Sequence, residues 1–247
     1  MNLLRNDQST LTVEQWNDIS NLVHCFDQYS GLPLANDYLQ EQLNLPPKYR
    51  FKPSSVNALL SRLMEQVQLV FEKNRDARSI TLHDRKLLLL NLVKYTTSFG
   101  CAFLFQQTQL FNQPLFIQSA EELLEKPSID FARRLVEHLD PDTIFLKISF
   151  SLMSFFLSDY TVYKNQPPEN LDNAKSIFAL ESIYSDLIWR YLLYKYGHRQ
   201  AVLCFSNLIR CFLLLNKTVV QAHDVRQFTE IIDTVVQVTE EKLQISK

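Results

Sequence analysis

Residues 79–93 read SITLHDRKLLLLNLV, a polar start followed by four consecutive leucines. Thr81 and Asp84 have the spacing of a helix N-cap and its first turn, where side-chain oxygens satisfy free backbone N–H groups. The pair predicts a helix that begins near Leu82. Leu87–Leu90 would point to every side of it, because successive helical residues advance by about 100°. A helix that is apolar all round must be surrounded, so the stretch predicts a helix in the middle of a helical protein.

The composition disfavours several functional classes. The chain has 247 residues, enough for a sizeable core, and only 3 glycines, where average usage of about 7% would give roughly 17. Gly31, Gly100 and Gly197 cannot form a glycine-rich phosphate-binding motif. The net charge is −2, with both signs mixed along the chain. Neither a nucleotide-binding fold nor direct nucleic-acid contact is therefore indicated.

The cysteines and the N-terminal residues bear on the compartment. Cys25, Cys101, Cys204 and Cys211 lie in apolar contexts without CxxC spacing, which favours buried thiols over a disulfide or a metal site. The first residues lack a signal-peptide core, and no run approaches 18 uninterrupted apolar residues. The sequence therefore predicts an intracellular protein with no membrane span, no metal and no cofactor.

Apolar residues at spacings of three and four predict helices along most of the chain. The first helix is capped by Thr10 or Thr12. Residues 31–54 are predicted to be a loop because they contain four prolines. A long helix is predicted over 55–74, and the helix of the leucine run is predicted to extend over 82–105.

Residues 106–118, QQTQLFNQPLFIQ, show a short alternation of polar and apolar residues before Pro114. This pattern predicts at most a small β-turn or hairpin. Helices resume beyond it, and the last long helix is predicted over 198–238. Because no repeat or composition shift marks a boundary, the sequence predicts one all-α domain over residues 1–247.

The order of these elements, together with several local strings, resembles the ligand-binding domain of nuclear hormone receptors. Residues 71–90, FEKNRDARSITLHDRKLLLL, are similar to the family's leucine-rich signature, with Asp84 at the acidic position and Arg85 in place of a glutamine. Residues 182–197 resemble the family's ninth helix, and residues 201–218 resemble the tenth. The resemblance implies a three-layer antiparallel helical sandwich with the four leucines in its middle layer.

The same resemblance implies a regulator of transcription. Such a protein would lie in the nucleus, the cytoplasm or both, pair with itself or another nuclear receptor, and bind transcriptional coregulators. The family's DNA-binding zinc module needs two sites of four cysteines each, which four scattered cysteines cannot supply. No enzyme activity is implied, and no catalytic motif stands out.

The resemblance further implies a cavity for a lipophilic small molecule between the third, fifth and eleventh helices. The residues that match this cavity are Leu60, Leu63, Met64, Val67, Thr97, Cys101, Leu104, Ala222 and Val225. Leu104 stands where several family members carry an arginine for a ligand carboxylate, so a charged ligand would have no partner there. The alternative interpretation is that these residues pack against one another and bind no ligand.

Family members also bind an LxxLL coactivator helix in a groove that has a lysine at one end and a glutamate at the other. The matching groove residues are Val70, Glu72, Lys73, Lys86, Leu89 and Leu90. Glu72 falls on the lysine position, unless a one-residue deletion places Lys73 there. Glu240 and Glu241 are out of register with the glutamate, so the sequence predicts a degenerate charge clamp.

The tenth helix is the implied dimer helix. Its matching face consists of Ser206, Asn207, Ile209, Arg210, Leu213, Leu214 and Lys217, whereas Cys211, Phe212 and Leu215 are expected to point inward. The rival hypothesis is an all-α structural adaptor that keeps the fold for dimerisation and binds no ligand.

Overall fold

The computed structural model describes residues 11–156, 170–223 and 225–245. Every regular element within these residues is helical, so the all-α prediction is confirmed. The long helices are α1 (Val13–Tyr29), α2 (Leu32–Asn44), α3 (Pro53–Lys73), α4 (Leu82–Asn91), α5 (Thr97–Thr108), α6 (Pro114–Leu124), α7 (Lys126–His138), α8 (Thr143–Met153), α9 (Ala174–His223) and α10 (Arg226–Ile245). A π-helical stretch, Leu92–Thr96, joins α4 to α5, and short 3-10 turns cover Pro47–Tyr49 and Leu110–Asn112.

The helix that others enclose is α5. Thr97 and all of Phe99–Phe105 are buried, because α5 packs against α2, α3, α7, α8 and α9. The leucine run on α4 is less enclosed, since Leu88 and Leu89 are buried whereas Leu87 and Leu90 keep part of their surface exposed. The expectation that all four leucines are surrounded is therefore wrong for the outer two.

Together, α4, the π-helical stretch and α5 form one helical segment, Leu82–Thr108. Its length and apolar composition would be sufficient for a membrane span. However, 78% of its apolar window is buried inside the structure, as expected of a core helix.

The start of α4 agrees with the sequence pattern, with one addition. The Thr81 hydroxyl accepts a hydrogen bond from the Asp84 backbone N–H at 3.1 Å, as predicted for an N-cap. The Asp84 carboxylate, which is buried, accepts hydrogen bonds from the backbone N–H groups of Asp172 at 2.7 Å and Asn173 at 2.9 Å. Asp84 therefore connects the start of α4 to the residues just before α9.

The first helix begins as predicted. Thr12 forms a complete capping box with Gln15, while Thr10 lies outside the described residues. The loop predicted over 31–54 is wrong, because it contains α2. Pro33 lies in the first turn of α2, where a proline is tolerated because the backbone N–H there has no helical partner.

The β-turn or hairpin predicted near 106–118 is also wrong. Gln109 adopts a left-handed backbone conformation (φ 54°) and ends α5. A 3-10 turn follows, and Pro114 begins α6. The alternation in this segment reflects a tight connection between two helices.

The single helix predicted over 198–238 is divided in two. It includes the second half of α9, which ends at His223, and most of α10, which begins at Arg226. Gly197 lies inside α9 with non-helical dihedral angles (φ 71°, ψ 170°) and kinks it. Beyond the break after His223, α10 packs against α3, α4, α6, α9 and the π-helical stretch.

Candidate functional site: an apolar cavity beside α5

A cavity of about 70 Å³ lies next to α5. Its walls come from α3, α5, α6 and α7, with Val219 of α9 and Phe228 of α10 completing the lining. We call it the apolar cavity. The residues that line it are Leu60, Met64, Ser98, Cys101, Ala102, Phe105, Phe111, Phe116, Ala120, Leu124, Ser128, Ile129, Ala132, Leu135, Val219 and Phe228.

Three phenylalanine rings form one wall of the apolar cavity. The ring centroid of Phe105 is 5.0 Å from that of Phe111 and 5.7 Å from that of Phe116, in tilted and edge-to-face arrangements. These geometries are favourable for aromatic rings, whose edges are positive and whose faces are negative. The backbone turn at Gln109 allows this wall to form, because it folds the chain from α5 back into α6.

The lining offers little to a charged ligand. Its polar side chains are Ser98 and Ser128, and the Cys101 thiol is held neutral because burial raises its pKa to about 12. No charged side chain lines the apolar cavity among the described residues. A molecule bound there would be neutral and mainly apolar, with one or two hydrogen bonds to orient it.

The predicted ligand-binding residues do not all reach this space. Leu60, Met64 and Cys101 line it. The others whose side chains are described are buried in the packed interior without lining it, and they are Leu63, Val67, Thr97, Leu104 and Val225. The side chain of Ala222 lies outside the described residues.

Sequence reasoning missed the α6 and α7 wall. Phe116, Ala120 and Leu124 recur every four residues on α6, and Ser128, Ala132 and Leu135 recur at four and three on α7. This spacing is the signal of a shared helical face. The signal was lost on α6 because its first turn falls in the segment assigned to a hairpin.

The predicted coactivator residues are divided between two faces of α3. Val70 is buried and its carbonyl accepts a hydrogen bond from the Cys25 thiol of α1, and the Lys73 ammonium lies 5.9 Å from the centroid of the Tyr29 ring. Glu72 lies on another face. Of the α4 residues in this set, Leu89 is buried, whereas Lys86 and Leu90 are half-buried.

The face of α3 that carries Glu72 is occupied by α10. The buried Thr239 hydroxyl lies 2.7 Å from the Gln68 side-chain oxygen. One turn further along both helices, burial raises the Glu72 pKa, an effect that the positive charges of Lys242, Lys73 and Arg85 oppose. Of the two glutamates considered for the clamp, Glu240 is half-buried and Glu241 is exposed. In this structure α10 therefore covers part of the predicted coactivator surface.

The predicted dimer residues fall into two groups. Ser206, Ile209, Arg210 and Leu213 are exposed. Asn207 and Leu214 are half-buried, and Asn207 donates a hydrogen bond to the His138 carbonyl. Lys217 is also exposed, although its ammonium lies 5.0 Å from the Phe131 ring centroid.

The three side chains expected to point inward do so to different degrees. Cys211 and Leu215 are buried, and Phe212 is half-buried against Phe156.

Comparisons with known proteins leave the family open. No family model matches the chain, and no curated protein matches it. Its class must therefore be inferred from its own residues and geometry.

Proposed function

We propose that this chain is a regulatory domain of the nuclear-receptor ligand-binding type that binds a neutral lipophilic molecule in the apolar cavity. It would act in the nucleus, the cytoplasm or both, regulate transcription through coregulators, and pair with itself or a related receptor. The apolar cavity is the observation that carries the proposal. The enclosure of α5 by helices on several sides supports a three-layer sandwich around it.

The position of α10 supplies a mechanism. Phe228, near its start, lines the apolar cavity, while Thr239, three turns later, contacts Gln68 of α3. The cavity of about 70 Å³ is smaller than the roughly 300 Å³ typical of pockets for drug-sized ligands. A bound lipid would therefore displace Phe228 outward and shift the population of α10 positions on the coactivator face.

The small volume also favours a second candidate. A chain whose cavity stays closed would act as an all-α dimerisation adaptor, pairing with receptors without responding to a ligand. The two functions differ in whether the apolar cavity opens to a ligand.

Native mass spectrometry of the protein purified from cells tests the first function. We expect a co-purifying neutral molecule of a few hundred daltons. Ala132→Leu should remove this molecule, because the larger side chain fills part of the apolar cavity. Ala58→Leu makes the same chemical change at an exposed site on α3 and should retain it.

A bare protein would contradict ligand binding, provided that it also fails to bind a neutral fluorescent lipid. Retention of the molecule by Ala132→Leu would place it elsewhere on the chain. A bare dimer that also binds no LxxLL peptide would support the adaptor.

A further inference from the structure

A second cleft opens between α1, the turn after α3, and α9. Its volume is about 150 Å³, and it shares no lining residue with the apolar cavity. Asp18, Asn21, Leu22 and Cys25 line it from α1 at the spacing of one helical face, while Ile183, Tyr184 and Leu187 line it from α9. Lys73, Asn74, Arg75 and Asp76 close the third side. We call this space the α1–α9 cleft.

The two carboxylates of the α1–α9 cleft already have partners. The Arg75 guanidinium lies 3.1 Å from an Asp18 oxygen and 3.2 Å from an Asp76 oxygen. Asp76 also accepts a hydrogen bond from the Tyr184 hydroxyl at 2.9 Å. A cationic ligand would have to displace Arg75, so these acids do not select one.

Several hydrogen-bond donors of the cleft are unused. Lys73 and Asn21 both line the cleft. Within the described residues, Lys73 forms no ion pair, although its ammonium lies 5.9 Å from the Tyr29 ring centroid, and Asn21 makes no side-chain hydrogen bond. An ammonium carries three donors and an amide two, and a guanidinium engaged through two of its nitrogens keeps further N–H groups. These groups match the oxygens of an anion.

The rest of the cleft suits a small apolar body. Leu22 and Leu187 are buried and Ile183 is exposed at the opening, so aliphatic carbon faces the donors. An apolar cavity of about 150 Å³ is known to accept a benzene ring. A ligand for this cleft therefore has about the bulk of one six-membered ring and one anionic group.

We propose that the α1–α9 cleft binds a small monocarboxylic acid, with the carboxylate at Lys73 and Asn21 and the hydrocarbon body against Leu22, Ile183 and Leu187. This site is independent of the apolar cavity, whose lining offers no cation to a carboxylate. The protein would then bind two chemically different ligands at two places.

Cys25 provides the readout. All four cysteines lie in the described residues, and Cys25 is the one that is not buried. Its alkylation by a thiol reagent at mildly alkaline pH should slow when benzoate occupies the cleft. Benzamide has nearly the same shape as benzoate but no charge. Because it lacks the charge-assisted hydrogen bond, its Kd should be about tenfold or more above that of benzoate.

Two matched variants separate this site from general anion binding. Lys73→Gln should abolish the preference for benzoate over benzamide, whereas Lys175→Gln, at an exposed position on α9, should retain it. Ala132→Leu in the apolar cavity should also leave benzoate binding unchanged. The two binding proposals can therefore be tested independently of each other.

Three results would overturn the proposal. They are equal protection of Cys25 by benzoate and benzamide, no protection at the solubility limit of benzoate, and an unchanged preference in Lys73→Gln.

Discussion

Asp84 is a buried carboxylate whose partners lie far away in the sequence. Its carboxylate accepts hydrogen bonds from the backbone N–H groups of Asp172 and Asn173, which lie 88 and 89 residues further on. A buried charge is tolerated only when such hydrogen bonds replace its hydration. The local pattern around Thr81 identified Asp84 as a first-turn acid, but no local pattern could reveal that it also holds the approach to α9.

Replacing Asp84 tests this connection. We expect Asp84→Asn to lower the free energy of unfolding by about 2 to 3 kcal/mol. The amide carries no charge, and its NH2 group would face one of the two backbone N–H donors, so that hydrogen bond would be lost. Urea unfolding followed by circular dichroism measures the change. Asp172→Asn removes a neighbouring exposed charge and should stay within about 0.5 kcal/mol of the parent protein. Equal effects of the two variants would contradict the assigned role.

Cys101 makes stability depend on alkaline pH. Burial raises its pKa from 9.0 to about 12, so between these values the unfolded thiol ionises while the folded thiol keeps its proton. Stability is therefore unaffected below pH 9 and falls as pH rises towards 12, by about 1 kcal/mol at pH 10. Cys101→Ala should show a shallower fall over this window in urea unfolding at stepped pH. Parallel pH profiles for the two proteins would contradict a buried, protonated thiol.

Helices α3 and α5 approach each other closely at Gly100. A Cβ atom there would lie 2.6 Å and 3.1 Å from the two methyl carbons of Val67, and 3.3 Å from a ring carbon of Phe150. Glycine is normally unfavourable inside a helix. Its place in α5 therefore reflects packing between helices and not the preference of the helix itself.

Gly100→Ala should therefore destabilise the protein although alanine favours helix formation. Crowding costs about 1 to 3 kcal/mol, which exceeds the gain of about 1 kcal/mol from helix propensity. The double variant with Val67→Ala should destabilise by less than the sum of the single changes, because it removes the crowding methyl groups. A double-mutant cycle in urea gives this coupling energy, and a Gly100→Ala protein more stable than its parent would refute the close contact.

The success of sequence reasoning depended on whether the signal for an element was local. The helix predicted over 55–74 is confirmed as Pro53–Lys73, since its apolar stripe is a property of the segment itself. Pro33 and Pro114 misled, because a proline that interrupts one helix equally suits the first turn of the next.

The apolar cavity shows the same limit at the level of packing. Leu60, Met64 and Cys101 were identified as candidate lining residues, whereas the aromatic wall at Phe111 and Phe116 was not. That wall exists because the chain reverses at Gln109, and a left-handed glutamine has no clear sequence signature. Contacts between helices that are distant in the sequence likewise determine which apolar residues line the cavity. Leu63 and Val67 pack against neighbouring side chains and do not line it.

For the whole molecule, the second half of α9 leaves an apolar stripe uncovered by any other described element. Val202, Ile209 and Leu213 recur at seven and four residues, with exposed fractions of 42%, 51% and 63%, and Leu203 beside them is 55% exposed. The apolar cavity and the α1–α9 cleft have no lining residue in this stripe. Neither proposed ligand would therefore cover it.

We expect this stripe to be buried between two copies of the chain or, under the proposed function, between the chain and a nuclear receptor. Contiguous exposed apolar area of this kind usually marks an interaction surface. A glutamate introduced at Leu213 should prevent pairing, because its carboxylate would lose its hydration inside the interface without gaining a partner. Sedimentation velocity over a range of concentrations should show a dimer of the 29.0 kDa chain that Leu213→Glu converts to a monomer. Phe178→Glu, at a 68% exposed position on the first half of α9, should leave the dimer intact. A parent protein that stays monomeric at every concentration would rule out self-pairing, and dissociation by Phe178→Glu instead would move the interface to the other half of α9.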